Sequence, residues 1–193
     1  MTLLIEKTLP RKRKATLEEL TQKLYRTPEK AEIINGEIVI FMATGDEPST
    51  AAFNIALSLK LYQRETARGR AYSDNIGYLV DLPRRKSFSP DASFYAGPRS
   101  GMRFLRGAPL FAVEVRSEND YGDQAEKEMA QKRNDYFAAG TEVVWDVDLL
   151  SQDVVKSYHR DNPHQPRIFR RGVTANAEPV LPGWTMPVDE LLD

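Results

Sequence analysis

The chain has no cysteine, and this absence excludes several chemistries at once. Disulfide bonds, cysteine-ligated zinc and thiol nucleophiles are all ruled out. Long apolar runs are missing too, so no segment is expected to span a bilayer. The N-terminus shows no apolar stretch followed by a small-residue cleavage site, so no signal peptide is expected. These absences together favour a cytoplasmic protein.

Neither sign of charge dominates the sequence. The 27 basic and 28 acidic residues leave a net charge of −1, whereas a dedicated nucleic-acid binder normally has a clear basic excess. Attraction to phosphate would therefore have to come from a local basic patch or from bound cations. The 2 histidines, His159 and His164, have no third ligand nearby in the sequence, so we expect no histidine metal site.

The length of 193 residues allows one domain with a substantial core. Residues 1–15, which include the basic run at 11–14, are predicted to be a flexible arm, and residues 16–193 a single domain. Three helices are predicted from apolar spacing and from start and stop signals. They run from a capping box at Thr16 to about Arg26, from Ser49 or Thr50 to about Arg68, and from about Asp123 to Ala139.

The strand pattern completes a mixed α and β order, which predicts an α+β fold. Asn35-Gly36 predicts a type I′ turn because both residues tolerate positive φ, so residues 31–34 and 37–42 should form an N-terminal β-hairpin. Residues 97–109 are predicted to be a loop, and the proline-containing tail a loose wrap ending in a turn near Leu191. Further strands are predicted at Arg70 to Ser73, Ile76 to Leu82, Ala92 to Ala96, Leu110 to Arg116, Glu142 to Val147, Val154 to His159 and Arg167 to Arg170.

Two acidic residues lie in predicted strands that are otherwise largely apolar. Asp91 occurs in Ser-Pro-Asp-Ala-Ser-Phe, and Glu114 in Phe-Ala-Val-Glu-Val-Arg. An ionised carboxylate in such a strand needs a partner, and two converging carboxylates repel unless a cation lies between them. Magnesium suits this arrangement because it is a hard ion that prefers oxygen ligands, and the backbone carbonyl of Val115 is a natural additional ligand.

The same two residues also have a purely structural interpretation. Asp91 is then the cap of a turn, and Glu114 forms a buried ion pair with Arg116 or Lys132. Alternation along the strand places Glu114 and Arg116 on one face, and Val113 and Val115 on the other. The sequence alone leaves both interpretations open.

The order of these motifs resembles the PD-(D/E)xK nuclease superfamily, and more specifically the Uma-type family of putative restriction endonucleases. The resemblance runs from about Leu17 to Pro187. It is carried by the order and spacing of four stretches rather than by any one of them. These are residues 31–37, Ser89-Pro90-Asp91, Val113 to Ser117, and Lys132 to Trp145 with its Tyr136 and Gly140 and the adjoining Asp146.

The resemblance implies a restriction-endonuclease-like mixed sheet flanked by helices, with Asp91 and Glu114 as metal ligands. The superfamily has a lysine two residues after the glutamate, where this chain has Arg116. Arginine stays protonated, so it stabilises negative charge but cannot act as a tunable base. Relatives supply the lysine from the following helix, which makes Lys132 the candidate here and leaves Lys127 as an alternative.

The mechanism implied by the resemblance is hydrolysis assisted by Mg²⁺ or Mn²⁺. The ion would lower the pKa of a bound water and neutralise the scissile phosphate. Lys132 would orient that water or shield the developing charge, and Arg116 would hold a phosphate oxygen. Glu32 is an accessory candidate as an outer ligand, and Tyr136 either packs against the sheet or reaches the site.

The function expected is therefore a metal-dependent endonuclease acting on DNA. Duplex cleavage suits a homodimer, because two-fold symmetry presents one site to each strand. A non-catalytic nucleic-acid-binding or scaffold protein is the main alternative, and a hydrolase for a small phosphorylated substrate is a third. The phosphate-binding patch is predicted to comprise Arg84, Arg85, Lys86, Arg99, Arg103 and Arg106.

Overall fold

A computed structural model describes residues 15–193 of the chain. The basic arm predicted for residues 1–15 therefore lies, apart from Ala15, outside the described residues. Within the described part, no helix combines the length and the apolar character needed to cross a membrane. The helices are α1 (Leu17–Leu24), α2 (Asp46–Thr66), α3 (Asp123–Ala139) and a 3-10 helix (Val188–Leu191).

The strands are short, and six of them form one central sheet. In chain order the described strands are β1 (Ala31–Ile34), β2 (Glu37–Ile40), β3 (Arg70–Ser73), β4 (Tyr78–Leu79), β5 (Ser87–Phe88), β6 (Ala92–Tyr95), β7 (Leu105–Arg106), β8 (Phe111–Val115), β9 (Val143–Val147), β10 (Val155–His159), β11 (Asn162–Phe169), β12 (Thr174–Asn176) and β13 (Thr185–Pro187).

The central sheet has the order β11-β10-β9-β8-β6-β3 and is mixed, as predicted. Only β8 and β9 run parallel among its neighbouring strands, and α3 is the connection between them. A parallel pair needs such a crossover because a tight turn can join only antiparallel strands. The other pairs are antiparallel, including β6 with β8, where Ala92 faces Val113.

Each face of the sheet is covered by a helix, and strand alternation decides which residues meet it. Val113, Val115 and Trp145 are buried on the face that packs with Ile55 and Leu59 of α2. The opposite face, with Ala112 and Val144, packs with Tyr136 and Phe137 of α3. Glu114 and Arg116 belong to this second face, so the predicted alternation is confirmed and the two charged residues lie under α3.

The N-terminal elements follow local sequence signals closely. The Thr16 hydroxyl accepts the Glu19 amide at 3.2 Å and the Glu19 carboxylate accepts the Thr16 amide at 2.8 Å, which confirms the predicted capping box. Asn35 and Gly36 have φ of 52° and 80°, as the predicted hairpin turn requires. The hairpin packs through buried Ile33 against α1, and this contact turns its neighbour Glu32 toward the sheet.

Several predicted boundaries are wrong, two of them for identifiable reasons. Helix α2 starts at Asp46 rather than after Ser49, because two acidic residues and Pro48 suit its first turn. Strand β11 starts at Asn162, inside the predicted turn, because it lies at the edge of the sheet, where proline is tolerated. The predicted strand from Ile76 to Leu82 is reduced to Tyr78–Leu79.

The C-terminal tail is not a loose wrap. It forms the antiparallel pair β12 and β13, and its side chains at Leu181, Trp184 and Leu191 are buried in the α2 side of the core. Trp184 packs on Trp145 with ring centroids 5.1 Å apart. The packing of the tail was not predicted, because its prolines indicate irregular structure but do not exclude burial of the neighbouring side chains. The loop predicted at 97–109 likewise contains one short strand, β7.

Candidate active site

Asp91 lies immediately before β6, beside the C-terminal end of β8. Its Oδ2 accepts the Val115 amide at 2.7 Å, and its Oδ1 accepts the ammonium of Lys30 at 2.5 Å. The Asp91 amide donates to the Val113 carbonyl at 3.0 Å, so backbone pairing fixes the position of the residue. The carboxylate is therefore held at the ends of two neighbouring strands, where the sequence predicted it.

Glu114 is buried on the α3 face of β8, with 8% of its surface exposed. Its Oε2 accepts the ammonium of Lys132 at 2.8 Å and its Oε1 accepts the hydroxyl of Tyr136 at 2.7 Å. Burial raises the pKa of Glu114 to about 7; the positive charge of Lys132 opposes this shift and the negative charge of Asp91 adds to it. The mutual repulsion expected between the two acids is thus present, although burial is the larger cause.

Lys132 joins two acids from different parts of the chain. Its ammonium lies 2.8 Å from Glu114 and 3.2 Å from Oε1 of Glu32 on the hairpin. Burial alone lowers the pKa of Lys132, but the negative charges of Glu114 and Glu32 outweigh it and raise the pKa above its ordinary value. Lys127, the alternative lysine, is exposed on the outer side of α3. The geometry therefore favours Lys132 and matches the ion pair that the structural interpretation anticipated.

Tyr136 follows Lys132 by one helical turn, and both reach Glu114. The ring stacks on Phe88 with centroids 4.0 Å apart, so Tyr136 both packs and reaches the site. Burial raises the pKa of Tyr136 well above its ordinary value, and the charge of Glu114 adds to this effect. The hydroxyl is therefore protonated at neutral pH and donates to Glu114.

Glu32 is fully buried and serves as the centre of a second polar cluster. Its Oε1 accepts the Ser89 amide at 3.0 Å, and its Oε2 is paired with the guanidinium of Arg85. Arg85 in turn donates to Asp135 of α3 at 2.8 Å. The hairpin, the segment before β6 and helix α3 are thereby tied together around Lys132.

Arg116 is paired with acids other than Asp91 and Glu114. Its Nε and Nη2 donate to the two oxygens of Asp146 at 2.7 and 2.9 Å, and it also pairs with Glu126. Only 2% of the side chain is exposed. The expectation that Arg116 holds a phosphate oxygen conflicts with this placement, because the fork is already filled by a bidentate carboxylate.

The predicted basic patch is divided by the fold. Arg99, Arg103 and Arg106 are exposed, and the guanidinium of Arg103 lies 5.4 Å from the ring of Tyr25. Arg84 and Lys86 are partly exposed, and Lys86 pairs with Asp81 at 2.5 Å. Arg85 does not belong to the patch: its side chain is 4% exposed and holds Glu32 and Asp135, so it has no face for a phosphate.

The donor set of two carboxylates is of the kind that hard divalent ions prefer. Asp91 and Glu114 provide carboxylate oxygens from adjacent strands, and Mg²⁺ is commonly bound by one or two carboxylates with waters completing its shell. Among residues 15–193 no group of three or more histidine, cysteine or acidic side chains is arranged to hold an ion. The Val115 amide, through its bond to Asp91, positions one of the two donors. The residues therefore fit a two-carboxylate ion but not an ion enclosed by protein ligands.

Sequence reasoning missed Lys30 and Asp74. The Lys30 ammonium bridges Asp91 and Asp74, at 2.5 and 2.6 Å. One signal was present: Lys30 and Glu32 are two residues apart, and side chains at that spacing share one face of an extended chain. Both side chains do reach the site, Lys30 toward Asp91 and Glu32 toward Lys132.

Comparisons with known proteins agree with this architecture. The family model described as "Uma2: Putative restriction endonuclease" matches residues 17–189. Among solved structures, the crystal structure of a putative nuclease belonging to DUF820 from Anabaena variabilis ATCC 29413 has a TM-score of 0.68 at 16% identity, covering 90% of this chain and 97% of that one. No curated protein gives a significant match.

The sheet and its flanking helices have the fold of the putative nuclease they match. The chain belongs to the Uma2 family of putative restriction endonucleases. This confirms both the family resemblance and the fold predicted from the sequence.

Proposed function

We propose that the protein is a metal-dependent endonuclease that hydrolyses phosphodiester bonds in DNA. The observation that carries the proposal is that Asp91, just before β6, and Glu114, on the neighbouring β8, are close enough for their charges to interact, with Lys132 in contact with Glu114. Membership of a restriction endonuclease family supports the same reaction class. Mg²⁺ or Mn²⁺ is the proposed cofactor, with the Val115 carbonyl as a further oxygen ligand.

The ion supplies a water of lowered pKa and positive charge at the scissile phosphate. Side chains of this protein stabilise the developing charge and position the groups that react. Lys132 donates a hydrogen bond to the attacking water or to the developing negative charge. Tyr136 fixes the orientation of Glu114, and Glu32 keeps the Lys132 ammonium in place as an accessory residue.

Lys132 remains a catalytic candidate, whereas Arg116 does not keep the phosphate contact expected of it. Its ammonium is within reach of a group bound at Glu114, whereas the Arg116 guanidinium is enclosed by Asp146 and Glu126. Arg116 is therefore proposed to stabilise the sheet end that carries Glu114. This explains how the chain tolerates arginine at the position of the superfamily lysine.

Nucleic-acid binding is proposed to use the exposed basic residues, without Arg85. Each basic side chain that neutralises a phosphate contributes about one unit to the slope of log K against log salt concentration, so removing that side chain lowers the slope by about one unit. Replacing Arg99, Arg103 and Arg106 together by glutamine should therefore reduce that slope by up to about 3. A slope unchanged in fluorescence-anisotropy titrations would remove these arginines from the interface.

A homodimer is part of the proposal, because two-fold symmetry presents one site to each strand of a duplex. Light scattering behind a sizing column measures the mass directly. A mass near twice the chain's 21.9 kDa supports the dimer, and a monomer that still cuts both strands contradicts it.

The decisive experiment is cleavage of plasmid and linear DNA with Mg²⁺ or Mn²⁺. Asp91→Asn and Glu114→Gln should each abolish cleavage, and Lys132→Met should lower the rate at least about a hundredfold, the usual range for a positioned charge at the reacting group. Asp161→Asn and Glu65→Gln, at exposed positions, are the matched controls. Cleavage that survives in Asp91→Asn contradicts the proposed site.

A second function is favoured by one observation. Every carboxylate oxygen of Asp91 and Glu114 already accepts a hydrogen bond from the protein. A nucleic-acid-binding or scaffold protein that keeps the fold without activity would have the acids satisfied in this way. Wild-type protein that binds DNA but cleaves neither DNA nor RNA with either metal identifies this alternative.

A further inference from the structure

Lys30 connects two acidic residues at one end of the sheet. Asp74 follows β3 and Asp91 precedes β6, and these strands pair with Ser73 facing Ala92, so the two acids are neighbours across the pair. The Lys30 ammonium lies 2.5 Å from Oδ1 of Asp91 and 2.6 Å from Oδ1 of Asp74. It comes from the hairpin, and only 18% of its side chain is exposed.

The two acids also face a cavity of about 170 Å³ between the start of α2 and the sheet. Its wall combines the oxygen-bearing side chains of Thr44, Ser49, Ser73, Asp74 and Asp91 with the apolar side chains of Pro48, Ala52, Phe53 and Val115. A cavity of this size has room for several waters, so a hydrated ion can approach Asp91 through it. Lys30 is not part of the cavity wall; its ammonium sits on an Asp91 oxygen that an arriving ion would also use.

We propose that Lys30 competes directly with the divalent ion for Asp91 and thereby sets the metal affinity of the site. This inference rests on the proposed function, because it takes Asp91 as a metal ligand. An ammonium and a divalent ion cannot both contact Asp91 without strong repulsion between them. Metal binding therefore requires Lys30 to leave Asp91.

Asp74 remains an ion-pair partner for the Lys30 ammonium after it leaves Asp91. Its side chain is 47% exposed, so it can follow Lys30 toward solvent while keeping their ion pair. When the ion binds, Lys30 thus loses its ion pair with Asp91 and keeps the one with Asp74. The arrangement makes binding weaker than at a site without Lys30, and makes Asp74 a positioning residue for Lys30 rather than a ligand.

The test is a Mn²⁺ titration of the full chain by isothermal calorimetry, which needs no substrate. Lys30→Met should bind Mn²⁺ at least about tenfold more tightly than the wild type, because the competing charge is gone. Lys60→Met, at an exposed position on α2, is the matched control and should bind like the wild type. Equal or weaker binding by folded Lys30→Met overturns the proposal.

A double-mutant cycle tests the part assigned to Asp74. Asp74→Asn should weaken Mn²⁺ binding in the wild-type background, because the released ammonium loses its partner, and should have little effect in the Lys30→Met background. An equal loss in both backgrounds shows that Asp74 contacts the ion itself and overturns this part. If Lys30→Met fails to fold, Lys30→Gln takes its place in the titration and in the cycle, because it removes the same charge and keeps a hydrogen-bond donor for Asp91 and Asp74.

Failure of this inference differs from failure of the proposed function. If Asp91→Asn abolishes Mn²⁺ binding while Lys30→Met leaves it unchanged, the metal site stands and the competition does not. If Asp91→Asn changes Mn²⁺ binding neither in the wild type nor in Lys30→Met, the proposed metal site and the competition by Lys30 are both overturned, since the ion is then bound elsewhere.

Discussion

Replacing Arg116 by lysine restores the glutamate-x-lysine motif of the superfamily, yet the structure predicts a loss rather than a gain. The guanidinium makes two hydrogen bonds to Asp146, at 2.7 and 2.9 Å, in a region where both side chains are nearly inaccessible. An ammonium has no planar fork, so it can contact only part of this carboxylate. The change should therefore destabilise the sheet without improving catalysis.

The magnitude follows from which contacts are buried. Removing one partner of a buried pair costs about 3–5 kcal/mol, and Arg133, 3.1 Å from the same carboxylate, compensates part of the remaining charge. Glu126 is half exposed, so its pair adds little. We expect about 3 kcal/mol for Arg116→Ala and about 2 kcal/mol for Arg116→Lys, which keeps a charged hydrogen bond.

Thermal unfolding and urea denaturation measure this loss directly. For a chain of this size about 3 kcal/mol corresponds to a fall in Tm of about 6–12 °C. Arg160→Lys is the matched control: its pair with Glu142 is half exposed, so the change should cost less than about 0.5 kcal/mol. Unchanged stability in Arg116→Lys together with lost cleavage would refute the structural role of Arg116 and would indicate that its side chain contacts the phosphate.

Three further predictions test other parts of the structure. Tyr136→Phe removes the hydroxyl that donates to Glu114, so cleavage should fall about tenfold or more while stability drops by about 1 kcal/mol; an unchanged rate would deny Tyr136 its positioning role. Burial lowers the pKa of His159 below its ordinary 6.5, so on acidification the unfolded state takes up this proton first and His159 contributes a loss of stability. The raised pKa of Glu114, about 7, acts in the opposite direction because the folded state takes up that proton first, but it acts equally in wild type and in His159→Gln. The stability of wild type relative to His159→Gln should therefore fall as the pH is lowered through 6.5, and a difference between the two proteins that stays constant with pH in urea denaturation would contradict this. Gly36→Ala places a Cβ at φ of 80° in the hairpin turn and should cost about 1 kcal/mol by urea denaturation, whereas no loss would mean that the turn relaxes freely.

Features governed by neighbours in the chain were predictable from the sequence. The capping box at Thr16, the turn at Asn35-Gly36 and the bounds of α3 depend on interactions within a few residues, and each was predicted correctly. Strand alternation also predicted that Glu114 lies on the opposite face of the sheet from Val113 and Val115. The order and spacing of four stretches, two of which contain Asp91 and Glu114, carried the family resemblance.

Partners that come from distant segments were not predictable in the same way. Whether Arg116 meets a phosphate or Asp146 depends on the register of β8 with β9, since that register sets Glu114 beside Asp146. The burial of Arg85 depends on the hairpin bringing Glu32 to it. Strand β11 and the packed tail form for a similar reason, because sheet edges and core surfaces accept segments that have weak local preferences.

The sequence by itself determined the helices, the hairpin and the alternation of strand faces, because short-range geometry and side-chain period specify them. Only the tertiary structure decided that Lys132 reaches Glu114, that Lys30 occupies Asp91, and that Arg116 is enclosed by other acids. The physical reason is that charge pairing acts through space. A carboxylate takes the nearest cation that folding delivers, and distance along the chain says little about which cation that is.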